Sequence, residues 1–138
     1  MYEEEEAIKT FTVSEARSLL PRVRKLMKRI VLERELLKSV RSDIERARKK
    51  AEMCGGSVFG ATYLTHISRF GRAVREVESL GVQIKDYDTG LIDFPCEYEG
   101  RIVLLCWKIG EDDLSYWHEI EAGFAGRQLL TDDFDYGK

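Results

Sequence analysis

Five residues in the C-terminal half of the chain have side chains that could do chemistry together: Asp93, Cys106, Glu111, His118 and Arg127. A cysteine, a histidine and a carboxylate are donor types that zinc takes, so Cys106 and His118 with Glu111 or Glu119 form one candidate ligand set. The same cysteine, with His118 as its base, is a candidate nucleophile. No two of these donors have the tight spacing of a metal motif. The chain also lacks a CxxC pair, a phosphate-binding glycine loop and a nucleophile elbow. GFAGR at 123–127 could meet an anion with a Gly–Arg turn, but the pattern is short and common. Asp93 makes the strongest demand, because LIDFP surrounds it with apolar neighbours and a buried carboxylate needs a partner. Arg127 is the expected partner, since a planar guanidinium holds a carboxylate by two hydrogen bonds. Asp93, Cys106, His118 and Arg127 are thus the catalytic candidates. Read as architecture instead, an Asp93–Arg127 pair fastens the C-terminal turn to a sheet, and His118 and Cys106 are core residues.

Strands must position these groups. Alternating segments at Val82–Asp86, Leu91–Glu97, Arg101–Ile109 and Leu114–Ile120 are separated by turn signals at 88–90, 99–100 and 110–113. They predict a four-stranded antiparallel meander, although Asp112 could instead cap a helix through Ser115–Glu121. A two-residue turn at Glu99–Gly100 pairs Asp93 with Cys106 and Phe94 with Leu105. A four-residue turn at 110–113 pairs Cys106 with Trp117 and Leu105 with His118. On that register Asp93, Cys106 and Trp117 share one face, while Phe94, Trp107, Tyr116 and His118 share the other. Cys106 and His118 then face apart, which disarms both the metal and the nucleophile readings. A slip of one residue swaps the faces.

Upstream the period is helical. Thr12 and Glu15 have capping-box spacing, with Phe11 and Ala16 placed as a hydrophobic staple, and Pro21 predicts a kink or break at 20–21. Leu19, Val23, Leu26, Ile30, Glu33, Leu37, Val40, Ile44, Ala47 and Ala51 alternate spacings of four and three, a coiled-coil-like seam that only Glu33 interrupts. One helix should therefore run from Pro21 to about Met53 and end at Cys54–Gly55–Gly56. A second, from about Ala61 to Leu80, carries Tyr63, Ile67, Phe70, Val74 and Val77 as its seam, with His66 beside it on a solvent-facing or partly buried position. Together they predict a long antiparallel helical hairpin. The second helix is the shorter, so the seam at 19–30 must find another partner.

Several segments are similar to those of a small prokaryotic family, domain of unknown function 2203: GLIDFP at 90–95, LCWKIGE at 105–111, WHEIEAGFAGR at 117–127, FTVSEARSLLP at 11–21 and GVQIKD at 81–86. The resemblance covers nearly the whole chain. It implies no activity, because the family has no established chemistry to carry over.

The totals fit one α+β domain of 138 residues, 43% hydrophobic and 34% charged. Its expected parts are an acidic leader (1–10), the hairpin (12–80), the meander (82–120) and a turn with an acidic tail (121–138). No apolar run is long enough for a membrane span, and MYEEEEAIK is not an export signal, so the expected place is the cytoplasm. Three cysteines in that setting are reduced thiols rather than a disulfide framework. Net charge is −3, but residues 21–50 carry twelve Lys/Arg against four Asp/Glu, and residues 86–138 are strongly acidic. This complementarity, with the unmatched seam, points to a non-enzymatic interaction or scaffold protein that forms a homodimer through its long helix, with no cofactor and with another protein as a further partner class. Nucleic acid held on the basic face of 22–50 is one alternative. A metal-binding protein or small metal-dependent enzyme using Cys106, His118 and a carboxylate is the other.

Overall fold

The computed structural model describes residues 7–50, 58–132 and 134. Two helices, α1 (Val13–Lys50) and α2 (Val58–Ser79), precede the strands β1 (Gln83–Asp86), β2 (Leu91–Tyr98), β3 (Arg101–Lys108), β4 (Tyr116–Glu119) and β5 (Gln128–Leu129). The fold is α+β, with one antiparallel sheet in the order β1-β2-β3-β4-β5. The sheet thus has five strands, not the four expected. The extra strand is two residues long, too short to show a period of two in the sequence.

Helix α1 starts where its cap dictates. Thr12 N donates to Glu15 Oε1 at 3.1 Å and Glu15 N donates to Thr12 Oγ1 at 3.0 Å, the reciprocal pair of a capping box. Phe11 and Ala16 are both buried beside it. The helix then runs through Pro21 as one element, without the break that was one of the two outcomes expected from its missing N–H. Leu20 and Val23 on either side of the proline are locked into the core, and burying two such side chains offsets the roughly 3 kcal/mol that an interior proline costs. The glycine stop at 54–56 lies outside the described residues.

The two helices run antiparallel, as contacts at both ends require: Arg22 reaches Glu76, and Glu33 reaches His66. Glu33 breaks the apolar seam for a local reason. Its Oε2 lies 2.6 Å from His66 Nδ1 in the interface, so a buried carboxylate has a partner. The unmatched seam also finds its cover. Leu20, Val23, Met27 and Ile30 pack against Ile92, Phe94, Val103, Leu105 and Trp107 on one face of the sheet. That stretch of α1 is therefore closed by the chain's own sheet.

The β2–β3 hairpin turns on Glu99 and Gly100, both with positive φ (49° and 75°), and its register is the expected one: Asp93 opposite Cys106, Phe94 opposite Leu105. The β3–β4 register is not. Leu105 pairs with Trp117 and Cys106 with Tyr116, one residue off the four-residue-turn prediction. The cause lies in the connection. Instead of a tight turn, residues 109–115 form a folded loop that drives Leu114 fully into the core. Polar groups pin that loop: Trp107 Nε1 donates to Glu111 O, Asp113 Oδ1 accepts from Leu114 N, and Arg17 Nη2 donates to Leu114 O. Burial of Leu114 thereby fixes where β4 begins.

Candidate metal centre

A one-residue shift turns every side chain of β4 over. Trp117 moves to the helix-facing side, where it packs with Tyr98 and Phe134. Tyr116 and His118 move to the opposite face, which β2 and β3 line with Asp93, Pro95, Leu104 and Cys106. His118 and Cys106 are therefore on the same face, against the sequence expectation, and Asp93 joins them from β2, on the other side of β3. Burial there is nearly complete: Asp93 is 1% exposed, Cys106 0% and His118 3%.

Asp93, not Arg127, is the group that the histidine meets. His118 Nε2 lies 3.1 Å from Asp93 Oδ1, and its Nδ1 lies 2.8 Å from the backbone oxygen of Glu119. A carbonyl oxygen only accepts, so Nδ1 carries a proton and donates it there. That leaves Nε2 as the nitrogen aimed at the cluster, the orientation a metal-binding histidine takes when its other nitrogen is fixed by a backbone carbonyl. One donor atom each from Asp93, Cys106 and His118 lies within 4.8 Å of the other two. Zinc bond lengths of about 2.0–2.3 Å place tetrahedral ligands about 3.3–3.8 Å apart, so closing on an ion asks for movements of about an ångström.

The thiol is not poised as a nucleophile. Cys106 is a free thiol, and its pKa is pushed up to about 12, first by burial and then by the Asp93 carboxylate beside it. At neutral pH it holds its proton. A cation is what would displace it.

Arg127 takes up a different post from the one expected. Its Nη1 donates to both carboxylate oxygens of Glu111, at 3.0 and 2.9 Å, and its guanidinium lies between the rings of Tyr116 (4.0 Å) and Phe124 (4.2 Å). Phe124 comes from a 3₁₀ turn, Phe124–Gly126, that brings Arg127 over the Cys106 end of the sheet. The guanidinium lowers the thiol's pKa, against burial and Asp93. Glu111 is thus occupied as the arginine's counter-ion, and Glu119 is held by Arg101. Neither of the carboxylates expected as ligands joins Cys106 and His118. The third donor is Asp93, which the sequence singled out for a different partner. The signal that could have revealed the grouping is Leu114 in DDLSY, a lone aliphatic residue among polar ones that has to be buried.

Half of the twelve Lys/Arg at 21–50 have partners within the chain. Arg22 meets Glu76, Arg24 donates to Asp112 O, Arg34 and Lys38 meet Asp88, and Arg41 and Arg46 meet Glu45 and Asp43. Among the described residues no helix is long and apolar enough to cross a membrane.

Comparison with curated proteins and with solved structures gives no match. Comparison with protein families gives one across residues 9–130, which spans both helices and the sheet through β5, and the chain therefore belongs to the family described as "Uncharacterized conserved protein (DUF2203)".

Proposed function

We propose that this chain is a metal-binding protein whose ion, zinc or a divalent ion of similar preference, sits on Asp93, Cys106 and His118. The observation that carries this reading is the β3–β4 register, which puts a carboxylate, a thiol and a correctly oriented imidazole on one buried face. Buried polar groups in an apolar sheet face are costly unless satisfied, and a dication satisfies all three at once. Charge supports it as well. With Cys106 as thiolate, three negative groups (Asp93, Cys106 and Glu111) balance the Arg127 guanidinium and a doubly charged ion. Three protein donors leave a fourth tetrahedral position for water or a ligand atom, the pattern of a zinc that polarises what it binds. A thiol kept available for a metal also fits a reducing compartment such as the cytoplasm.

Elemental analysis of the purified chain, followed by equilibrium dialysis against zinc, tests the reading. One zinc per chain is expected, with affinity falling at least tenfold in Cys106→Ser and in His118→Ala. Far-UV circular dichroism establishes that each variant is folded before its affinity is compared. A folded chain that takes up no zinc, or one whose affinity is the same in both variants, would overturn it.

A further inference from the structure

The groove between α1 and α2 on the side away from the sheet collects cations that the chain does not match. Two contacts fix how the helices lie along each other: Arg22 Nη2 donates to Glu76 Oε1 at 3.1 Å, and His66 meets Glu33. Arg29 comes seven residues after Arg22, and Arg69 seven residues before Glu76. Seven residues are nearly two whole turns, so the geometry that brings Arg22 to Glu76 sets Arg29 opposite Arg69. A cation faces an acid at the first level and another cation at the second. Lys25 and Arg72 stand between the two levels, Lys25 four residues before Arg29 and Arg72 three after Arg69. All four side chains are exposed. Among the described residues none of them has an ion pair or a hydrogen bond. The carboxylates at the two ends of the cluster are taken, Glu76 by Arg22 and Glu33 by His66.

Like charges at these spacings on one helix, and opposed across two, work against the fold, so the cluster is costly without an anion. Three of its four members are arginines, whose planar forks take phosphate oxygens in pairs. Lys25 and Arg29 are about 6 Å apart along their helix, and packed helix axes lie about 8–10 Å apart. The four charges are thus spread over neighbouring phosphates and do not converge on one small anion. Helix α1 has no aromatic residue to stack an unpaired base, and Phe70, next to Arg69, packs edge-on against Tyr87 instead. That favours a duplex, whose bases are already stacked. A bilayer would need a row of apolar side chains to enter it. Leu32 is the one large hydrophobic residue exposed on α1 among the described residues, and the helical period turns Leu64 and Ile67 of α2 well away from Arg69. The acidic stretch 86–138 forms most of the sheet layer, which packs on the side of α1 that holds Val23 and Met27. Lys25 is two residues from each of these, about 200° round the helix, so the acidic layer lies behind the cluster. We infer that a nucleic-acid duplex docks on this groove through its phosphates, without reading sequence. The arginines of α2 are what make the basic face of α1 into a site.

Fluorescence anisotropy of a labelled DNA duplex of arbitrary sequence, titrated with the full chain, is the test. Four neutralised phosphates predict a slope of about −3.6 for log affinity against log salt, with Kd of about 10⁻⁴–10⁻⁶ M at physiological salt. Arg29→Glu should weaken binding by about tenfold or more. It should also raise the unfolding temperature, because it sets an acid opposite Arg69. Arg69→Glu, the reverse exchange, should do the same. Lys85→Glu, an equal charge change at an exposed position on β1, should leave affinity within about twofold. No binding at low salt, an affinity indifferent to salt, or equal losses in Arg29→Glu and Lys85→Glu would overturn the inference. So would a lowered unfolding temperature in both arginine variants, or tighter binding to a single strand or to phosphatidylserine vesicles than to the duplex.

Discussion

His118 bonds Asp93 across the full width of β3, with Nε2 3.1 Å from Oδ1 although the two residues belong to strands that never pair. Two electronegative atoms at that separation need a cation between them, a proton or a metal ion. Everything that makes this face a candidate centre follows from which of the two it is.

Leu114 is the residue that sets this geometry from a distance. It is fully buried at the end of a polar loop, and its burial decides the register of β4. Leu114→Ala should cost about 2–4 kcal/mol, the usual range for a leucine-sized cavity. Urea denaturation measures that cost. Zinc affinity of the same variant should fall as well, even though Leu114 contributes no donor atom, because His118 loses its fixed place.

Local rules were the legible part of this fold. The capping box at Thr12–Glu15 and the turn at Glu99–Gly100 are each determined within four residues, so the sequence reading and the structure agree on them. Where tertiary packing decides, local reading fails. Pro21 stays helical because the core holds Leu20 and Val23. The partner of Glu33 is 33 residues away, and the partner of Arg127 is a glutamate in a loop rather than the buried aspartate. Of the candidate site, the residue types were visible in the sequence. Their convergence was not, because it depends on an odd-or-even register that one buried leucine controls.

The Glu33–His66 contact joins the two helices at a point where the seam is otherwise apolar. Glu33→Ala leaves His66 without its partner in a largely buried place, which should cost about 1–3 kcal/mol by chemical denaturation. Replacing both residues, as in Glu33→Leu with His66→Leu, should recover most of the loss, since an apolar pair of similar size does not need the bond. A double variant no better than Glu33→Ala would show that the contact does more than satisfy a buried charge.

Cys106 gives the metal-free protein a specific alkaline weakness. Its folded pKa, about 12, stands above the ordinary thiol value of 9.0, so the folded state prefers the protonated form. Its contribution to stability is fully present below pH 9.0 and is lost as pH rises from there towards 12. Denaturation midpoints of the metal-stripped chain should therefore fall over that interval, and Cys106→Ser should flatten the fall. An identical pH profile in the variant would mean that some other group controls it.

Cobalt substitution tests the central claim most directly, because a thiolate bound to Co²⁺ produces a charge-transfer band in the near ultraviolet that no carboxylate or imidazole ligand gives. Metal-stripped protein titrated with Co²⁺ should develop that band to saturation at one ion per chain, with visible bands of tetrahedral intensity. Zinc should abolish both by displacement, and Cys106→Ser should lack the charge-transfer band while His118→Ala binds cobalt more weakly. A titration that gives no charge-transfer band, or one whose band survives in Cys106→Ser, would contradict a metal centre at Asp93, Cys106 and His118.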